Sequence, residues 1–380
     1  MDLINSKILL NLDYSDLINA CKAIPDFFRL CQTPYFWSLK AEYDFNIPRN
    51  ELLLVPGSNN KKRYEFIYNI NNPNIGLLEA AKLGALSLVK YYLKLGANLH
   101  VDEEEALRSA AEYGHLNVVK YLIELGANLH AIDEDALREA AMNGHLNVVK
   151  YLVEQGADLH VRDEEALRWA AMDGRLDVVK YLVEQGADLH VRDEEALRWA
   201  AMDGRLDVVK YLIEQGADLH ARDEEALRWA AMDGHFDVVK YLVEQGADLH
   251  ANDEGALRSA ARYGHFDIVK YLVEQGADIH SNDEEALKLA AGNGHLDVVK
   301  YLVDGVNKGR ASHVFLVGQG ANLHAGNEEA LGRAAEEGHL DVVKYLVEQG
   351  ANPQVILDDP NTYKPEIVNY VHNLIKSRRN

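Results

Sequence analysis

Between Tyr151 and Lys180 the apolar positions fall into two short clusters with helical spacing, and Tyr181 to Lys210 repeats that stretch without one change. Leu167, Ala170 and Ala171 stand at i, i+3 and i+4, forming one face of a first helix that Gly174 stops. Asp163 is placed to cap this helix, and Glu164 and Glu165 sit where the helix dipole favours negative charge. A second helix is predicted from Leu176 to Glu184, with Val178, Val179, Tyr181, Leu182 and Val183 apolar nearly all round and Gly186 at its end. Such a helix has to be packed on most sides. The remainder, ADLHVRD, carries turn formers that link one pair to the next. A unit repeated at this period predicts an all-α solenoid, in which each unit buries its apolar face against its neighbours.

The same pattern can be followed along the chain through a Val-Lys marker at Val89, Val119, Val149, Val179, Val209, Val239, Val269, Val299 and Val343. The last interval is 44 residues instead of 30, so an insertion is expected at 304–317, a surface bulge in which Lys308, Arg310 and His313 form a basic spot. PEIVNYVHNLI at Pro365 echoes the second helix and is expected to cap the array. The first 70 or so residues lack the period. Ser6 to Leu12, Asp16 to Lys22, Pro25 to Cys31 and Pro34 to Tyr43 read as short helices, each begun by a capping residue or a proline. The expected division is a small helical domain at 1–45, a connecting segment at 46–75, nine repeats at 76–352 and a C-terminal cap at 353–380. The connecting segment, rich in Asn, Pro and Gly, reads as a partly flexible joint with one helix around Tyr64 to Tyr68.

The repeat unit resembles an ankyrin repeat. GHLDVVKYLVEQGAD at Gly294 and GHLNVVKYLIELGAN at Gly114 resemble that family's second helix and following turn, and LRWAA resembles its first helix. Two features depart from the family: the period is 30 residues instead of 33, and the Thr-Pro-Leu-His signature is replaced by Glu-Ala-Leu-Arg, as at Glu165 to Arg168. The missing residues fall before the first helix, so a shortened hairpin or plain loop is expected there. A second resemblance lies at the N-terminus, where ILLNLDYSDLINACKAIPDFFRLCQTPYFWSLK is similar to the F-box. Asp16 and Leu17 begin its second helix, Phe27 stands at the usual tryptophan, and Leu30, Pro34 and Trp37 match its end, while the family's opening Leu-Pro is missing. This resemblance implies that Leu9, Leu10, Leu12, Leu17, Ile18 and Trp37 include residues docking on the adaptor of a cullin-RING ubiquitin ligase; the alternative is a plain structural cap. The whole chain looks like the ankyrin proteins expanded in giant DNA viruses of amoebae, which places it in a host cytoplasm.

Charge narrows the choice of partner. Eight acidic and eight basic residues cancel within 1–75, and four basic residues face three acidic ones in 353–380, so all of the net charge of −22, and one unit more, sits on the repeats. An acidic array repels phosphate backbones and anionic lipid, leaving neither nucleic acid nor membrane as the expected partner but a protein with a basic surface. The alternative is that the charge keeps a long array soluble. Two cysteines, Cys21 and Cys31, imply no disulfide framework and favour a reducing, cytoplasmic compartment.

No catalytic signature stands out, with no GxxxxGK, HExxH, GxSxG or CxxC, so neither an enzyme nor a cofactor is expected. Fourteen histidines fall into two columns, one through His160, His190 and His220, the other through His115, His145 and His235. Packed helices lie about 8–10 Å apart, whereas zinc requires nitrogens at about 2.0–2.1 Å, so a column cannot share a metal. Hydrogen bonds to turn backbone are expected instead.

Internal copies can also be compared with one another. Three columns vary between repeats at i, i+3 and i+4 of the first helix, and they carry Trp169, Met172 and Asp173, Trp199, Met202 and Asp203, and Trp229, Met232 and Asp233. Trp and Met are enriched in protein interfaces, and an apolar centre rimmed by Asp suits one. In ankyrin proteins this side of the first helix resembles the usual partner-binding surface. The alternative is that the tryptophans stack between neighbouring first helices.

Overall fold

In the repeat built from the helices Glu195–Met202 and Leu206–Glu214, the side chains of Leu197, Ala200, Ala201, Val208, Val209 and Leu212 are buried. The small alanines let the two helices approach, and each fully buried Leu removes enough apolar surface to contribute about 2 kcal/mol. The computed structural model describes residues 9–304 and 320–378, and among them there is no strand. Nine helix pairs of this kind occur, from Pro73–Lys82 with Leu86–Lys94 to Glu329–Glu337 with Leu340–Glu348. The fold is an all-α repeat solenoid. The second helices are less wrapped than their apolar composition suggests: Val178, Val179 and Leu182 are buried, but Tyr181 and Val183 are half-buried. The ammonium of Lys150 lies 5.5 Å from the Tyr181 ring centroid and covers part of it.

Two hydrogen bonds end the second helix. Gly216, at φ 101, donates to Ile213 O and Ala217 donates to Leu212 O, both at 3.0 Å. Ala321 makes the equivalent bond to Leu302 O at 2.8 Å. These partners are nineteen residues apart instead of five, so fourteen extra residues are bridged and the register resumes. The expected basic spot of Lys308, Arg310 and His313 lies outside the described residues.

The connection between repeats corrects the expected Asp163 cap. Asp163 lies at φ 57 and ψ 59, between Arg162 and Glu164, also left-handed, whereas an N-cap needs extended backbone. The same left-handed triplet recurs at Arg192, Asp193 and Glu194 and at Arg222, Asp223 and Glu224. Glu194, at the helix boundary, makes no side-chain cap bond. The shortened link is thus one turn of left-handed backbone, which costs L-residues about 1–2 kcal/mol each.

The described chain divides into two compact units, one of residues up to 170 with 177–188, the other of 171–176 with 189 onward. In the first unit the N-terminal helices have their own core of Leu9, Leu17, Phe36, Trp37, Phe45 and Tyr64. The helix expected from Asp16 begins at Tyr14, because Asp13 accepts from Asp16 N at 2.8 Å and caps it. The segment expected as a flexible joint is part of this core: Ile47, Leu52, Val55 and Ile67 are buried, and the Tyr92 hydroxyl donates to Ile67 O at 3.4 Å. Apolar side chains spaced between its polar residues account for the difference. The cysteines also differ from expectation. The helices Tyr14–Ala23 and Pro25–Cys31 pack on each other, bringing Cys21 and Cys31 to a Cα separation of 6.1 Å, and the two form a disulfide. In the second unit, the C-terminal helix Pro365–Arg378 buries Ile367 and Val371.

Glycine carries no penalty for left-handed backbone, and the last repeat already has Gly326 in its triplet, at φ 57. Asp223→Gly, at an exposed position with φ 53, is expected to stabilise the chain by about 1 kcal/mol, read as a rise in melting temperature. A fall would mean that the aspartate side chain holds the turn.

Candidate partner-binding face

Next to the varying face of the first helices runs a column of arginines, and Arg198 supports one of the rings. Arg198, only 2% exposed, donates from Nε to Asp193 O and from Nη2 to Arg192 O, both at 2.8 Å. Those carbonyls belong to the left-handed triplet and have no helical partner. Its Nη1 pairs with Glu225 of the following repeat. The same guanidinium lies 5.3 Å from the Trp229 ring centroid, so the cation that ties two repeats together also supports an aromatic of the face. In the first unit Arg168 repeats the turn contacts, to Asp163 O and Arg162 O at 2.8 Å, and Arg138 Nη1 reaches Glu165 at 2.8 Å.

In the second unit, Trp199, Met202 and Asp203 are half-buried, as are Trp229 and Met232, and Asp233 is exposed. Met172 and Asp173 are half-buried too. In the first unit Trp169 is half-buried, and its sister Ser109, 1% exposed, donates from Oγ to Glu105 at 3.1 Å. Each tryptophan therefore has part of its ring in the stack and part at the surface. Tyr113 and Tyr263 stand in the column of Asp173, Asp203 and Asp233 and were not among the expected site residues. Both are 50% exposed, and an aromatic where sister repeats carry Asp or Asn was the available signal.

The two histidine columns have different partners. His115, His145 and His265 donate from Nε2 to Lys82 O, Glu112 O and Met232 O, each at 2.8 Å, which is the expected bond to turn backbone. The His235 ring packs so closely over Gly204 that an added Cβ would lie 2.4 Å from its Nδ1. Arg205 replaces histidine in the same place, donating from Nε to Met172 O at 2.9 Å. The other column bonds a side chain instead: His160 and His220 each donate from Nδ1 to the buried Glu164 or Glu224 at 2.5 Å. The Glu224 carboxylate also accepts from Asp248 N at 3.1 Å, tying it to the next turn. Paired carboxylates read as helix-start charges thus split into a buried histidine acceptor, Glu224, and an arginine acceptor, Glu225.

The family model for ankyrin repeats matches this chain at residues 77–163, 162–223, 197–283 and 257–356. The chain belongs to the ankyrin-repeat family. Members of that family mediate protein–protein interactions and are generally non-enzymatic scaffolds. No curated protein matches the chain. Within the family, the exchange of Thr-Pro-Leu-His for Glu-Ala-Leu-Arg follows from the shorter link: the left-handed turn exposes two carbonyls, and arginine has the geometry to reach both and a carboxylate besides. Among the described residues no group of His, Cys, Asp and Glu could hold a metal, and no helix is long and apolar enough to cross a membrane.

The residues implied by the F-box resemblance separate on burial. Leu9 and Leu17 are fully buried and Trp37 is 2% exposed, with its Nε1 donating to Cys31 O at 2.7 Å, so these three are core and unable to dock on anything. They are apolar at helical spacing for packing, not for contact. Leu10, Leu12 and Ile18 are half-buried, while Ile24 and Phe28 are exposed.

Hydrogen bonding to Glu164, Glu224 and Glu254 raises the pKa of His160, His220 and His250 above 6.5, and nearby aspartates, among them Asp218 and Asp248 for His220, add to it. A raised histidine pKa contributes stability that is fully present below the unfolded value and is lost as pH rises through the folded value. The urea midpoint is therefore expected to fall as pH rises from the ordinary histidine value through the raised one, and His220→Gln with His250→Gln to flatten that slope. An unchanged slope would remove the histidine–glutamate pairs as its source.

Proposed function

We propose that the chain is a binding scaffold whose protein partner docks on the varying face of its first helices, at Trp199, Met202, Asp203, Trp229, Met232 and Asp233 in the second unit and at the same columns around Trp169. The carrying observation is the half-exposure of the tryptophans above a fixed frame: the Arg198 guanidinium supports Trp229 from behind, leaving a rigid aromatic anchor of the kind that dominates interfaces. Met172, with Asp173 beside it, extends the same chemistry. The aspartate rim and the net charge of −22 favour a partner with a basic surface.

Sister repeats supply the test, since they carry Ser109 and Ser259 where these repeats carry tryptophan. Trp199→Ser with Trp229→Ser is expected to change the melting temperature little and to abolish capture of the partner recovered by the native array, a capture that added salt weakens. A large loss of stability with capture intact would make the rings core.

The F-box resemblance supports a second reading, recruitment of a ubiquitin-ligase adaptor by the N-terminal helices, which would turn the scaffold into a substrate receptor. The exposed Phe28 and Ile24, 52% and 43%, favour it, with Leu10, Leu12 and Ile18 beside them in the same small domain. Purified adaptor is expected to bind the full chain and to be lost on Phe28→Asp. Absence of binding by the native chain would leave these helices as a cap.

A further inference from the structure

A cleft of about 500 Å³ in the first unit plays no part in the proposed partner face. Its walls include the rings of Tyr14, Tyr43, Phe45, Tyr64, Tyr68 and Tyr91. The rings hold one another in place, with centroids 4.7 Å apart for Tyr14 and Tyr68, 5.1 Å for Phe45 and Tyr64, and 5.4 Å for Phe45 and Tyr91. The size is that of a small-molecule or side-chain pocket.

The polar lining decides what such a pocket can accept. Among the described residues Lys40 is its one basic side chain, 2% exposed, and Nζ donates to Leu10 O and Leu12 O at 2.8 Å and to Asp44 Oδ1 at 2.7 Å. An ammonium has three donors, so Lys40 has none left for an anionic ligand. Asp44 Oδ2 accepts from the Tyr64 hydroxyl at 2.5 Å, and Asp13 also lines the cleft. Two carboxylates against one spent lysine leave the lining net negative. Burial pushes the Tyr91 hydroxyl pKa up and the Asp44 charge adds to it, which places that ring in the carboxylate's field. A phosphate or carboxylate would find no uncommitted cationic donor among the described lining residues, and would meet the Asp13 and Asp44 charges instead. Aromatic faces and net negative charge attract a cation, and a cation with an apolar surface gives up less hydration on entry than a bare ammonium.

We propose that this cleft binds a quaternary ammonium group, carried either by a free small molecule or by a trimethylated lysine of a partner protein. The test is calorimetric titration of the full chain with choline and with a short trimethyl-lysine peptide, against 3,3-dimethylbutanol, which has the shape of choline without its charge. Saturable choline binding is expected, with the neutral isostere weaker by about tenfold or more. Tyr68→Leu, at a 43% exposed ring, should weaken choline about fivefold, and Tyr35→Leu, at a 60% exposed ring outside the cleft, should not. A peptide that binds more tightly than choline assigns the group to a protein side chain, and the reverse assigns it to a free molecule. Equal binding of choline and isostere, no saturable binding of either ammonium probe, or choline affinity unmoved by Tyr68→Leu in a folded chain would each overturn the proposal. The isostere comparison needs no variant, so it decides even if a substitution harms folding.

Discussion

The link between repeats, at its most complete, depends on one arginine contact. A 30-residue unit leaves too few residues for a longer link between helix pairs, and the chain makes the turn with three consecutive left-handed residues such as Arg192, Asp193 and Glu194. That backbone is unfavourable and leaves carbonyls unbonded. Arg198 satisfies two of them and takes the Glu225 carboxylate of the next repeat with its remaining arm, so local strain and inter-repeat cohesion are resolved by one planar cation. Where Lys288 replaces arginine, the bond runs to Asp283 Oδ2 at 2.7 Å, and Arg333 reaches back to Glu285 at 3.0 Å. Lys288 also keeps the pair with the following repeat, to Glu329 at 2.9 Å, whereas Arg228 meets Gly255 in the acceptor column and bonds Glu225 of its own repeat at 3.4 Å.

Around that contact each column has a separate task. The histidines after each glycine tie a second-helix start to the preceding first helix through a carbonyl, and Arg205 does the same where histidine is absent. The other histidines give a buried glutamate a hydrogen-bond partner, as His220 does for Glu224. Every one of these bonds uses atoms at the turn end of the helices, which leaves the i, i+3, i+4 face free to differ between repeats. Structural constraint and variation between repeats thus occupy different positions of a helix only eight residues long, Glu195–Met202. Trp229 is where they meet, because the arginine beneath it belongs to the structural set.

The N-terminal helices follow another logic. Their aromatic residues and Lys40 close a core of their own, and Lys40 is buried only because two carbonyls and Asp44 receive its three donors. Leu17 and Trp37, which resemble docking residues by spacing, belong to that core.

The sequence by itself determined the helix pairs, their buried face and the family, because the apolar period of thirty residues and the glycines that stop each helix are local signals. It also counted fourteen added residues before the last repeat, a number that matches the wider bond from Ala321 to Leu302. Only the tertiary structure decided the rest. Asp163 looked like a cap because its neighbours in sequence suit one, yet left-handed backbone with Arg168 beneath it won. The partners of His115 and His145 lie thirty-three residues away, and that of Arg198 twenty-seven, so no window along the chain contains them. Burial of Leu17, the pairing of Cys21 with Cys31 and the packing of Ile47 and Val55 depend likewise on which helices meet. Spacing shows that a side chain faces inward; only packing shows what it faces.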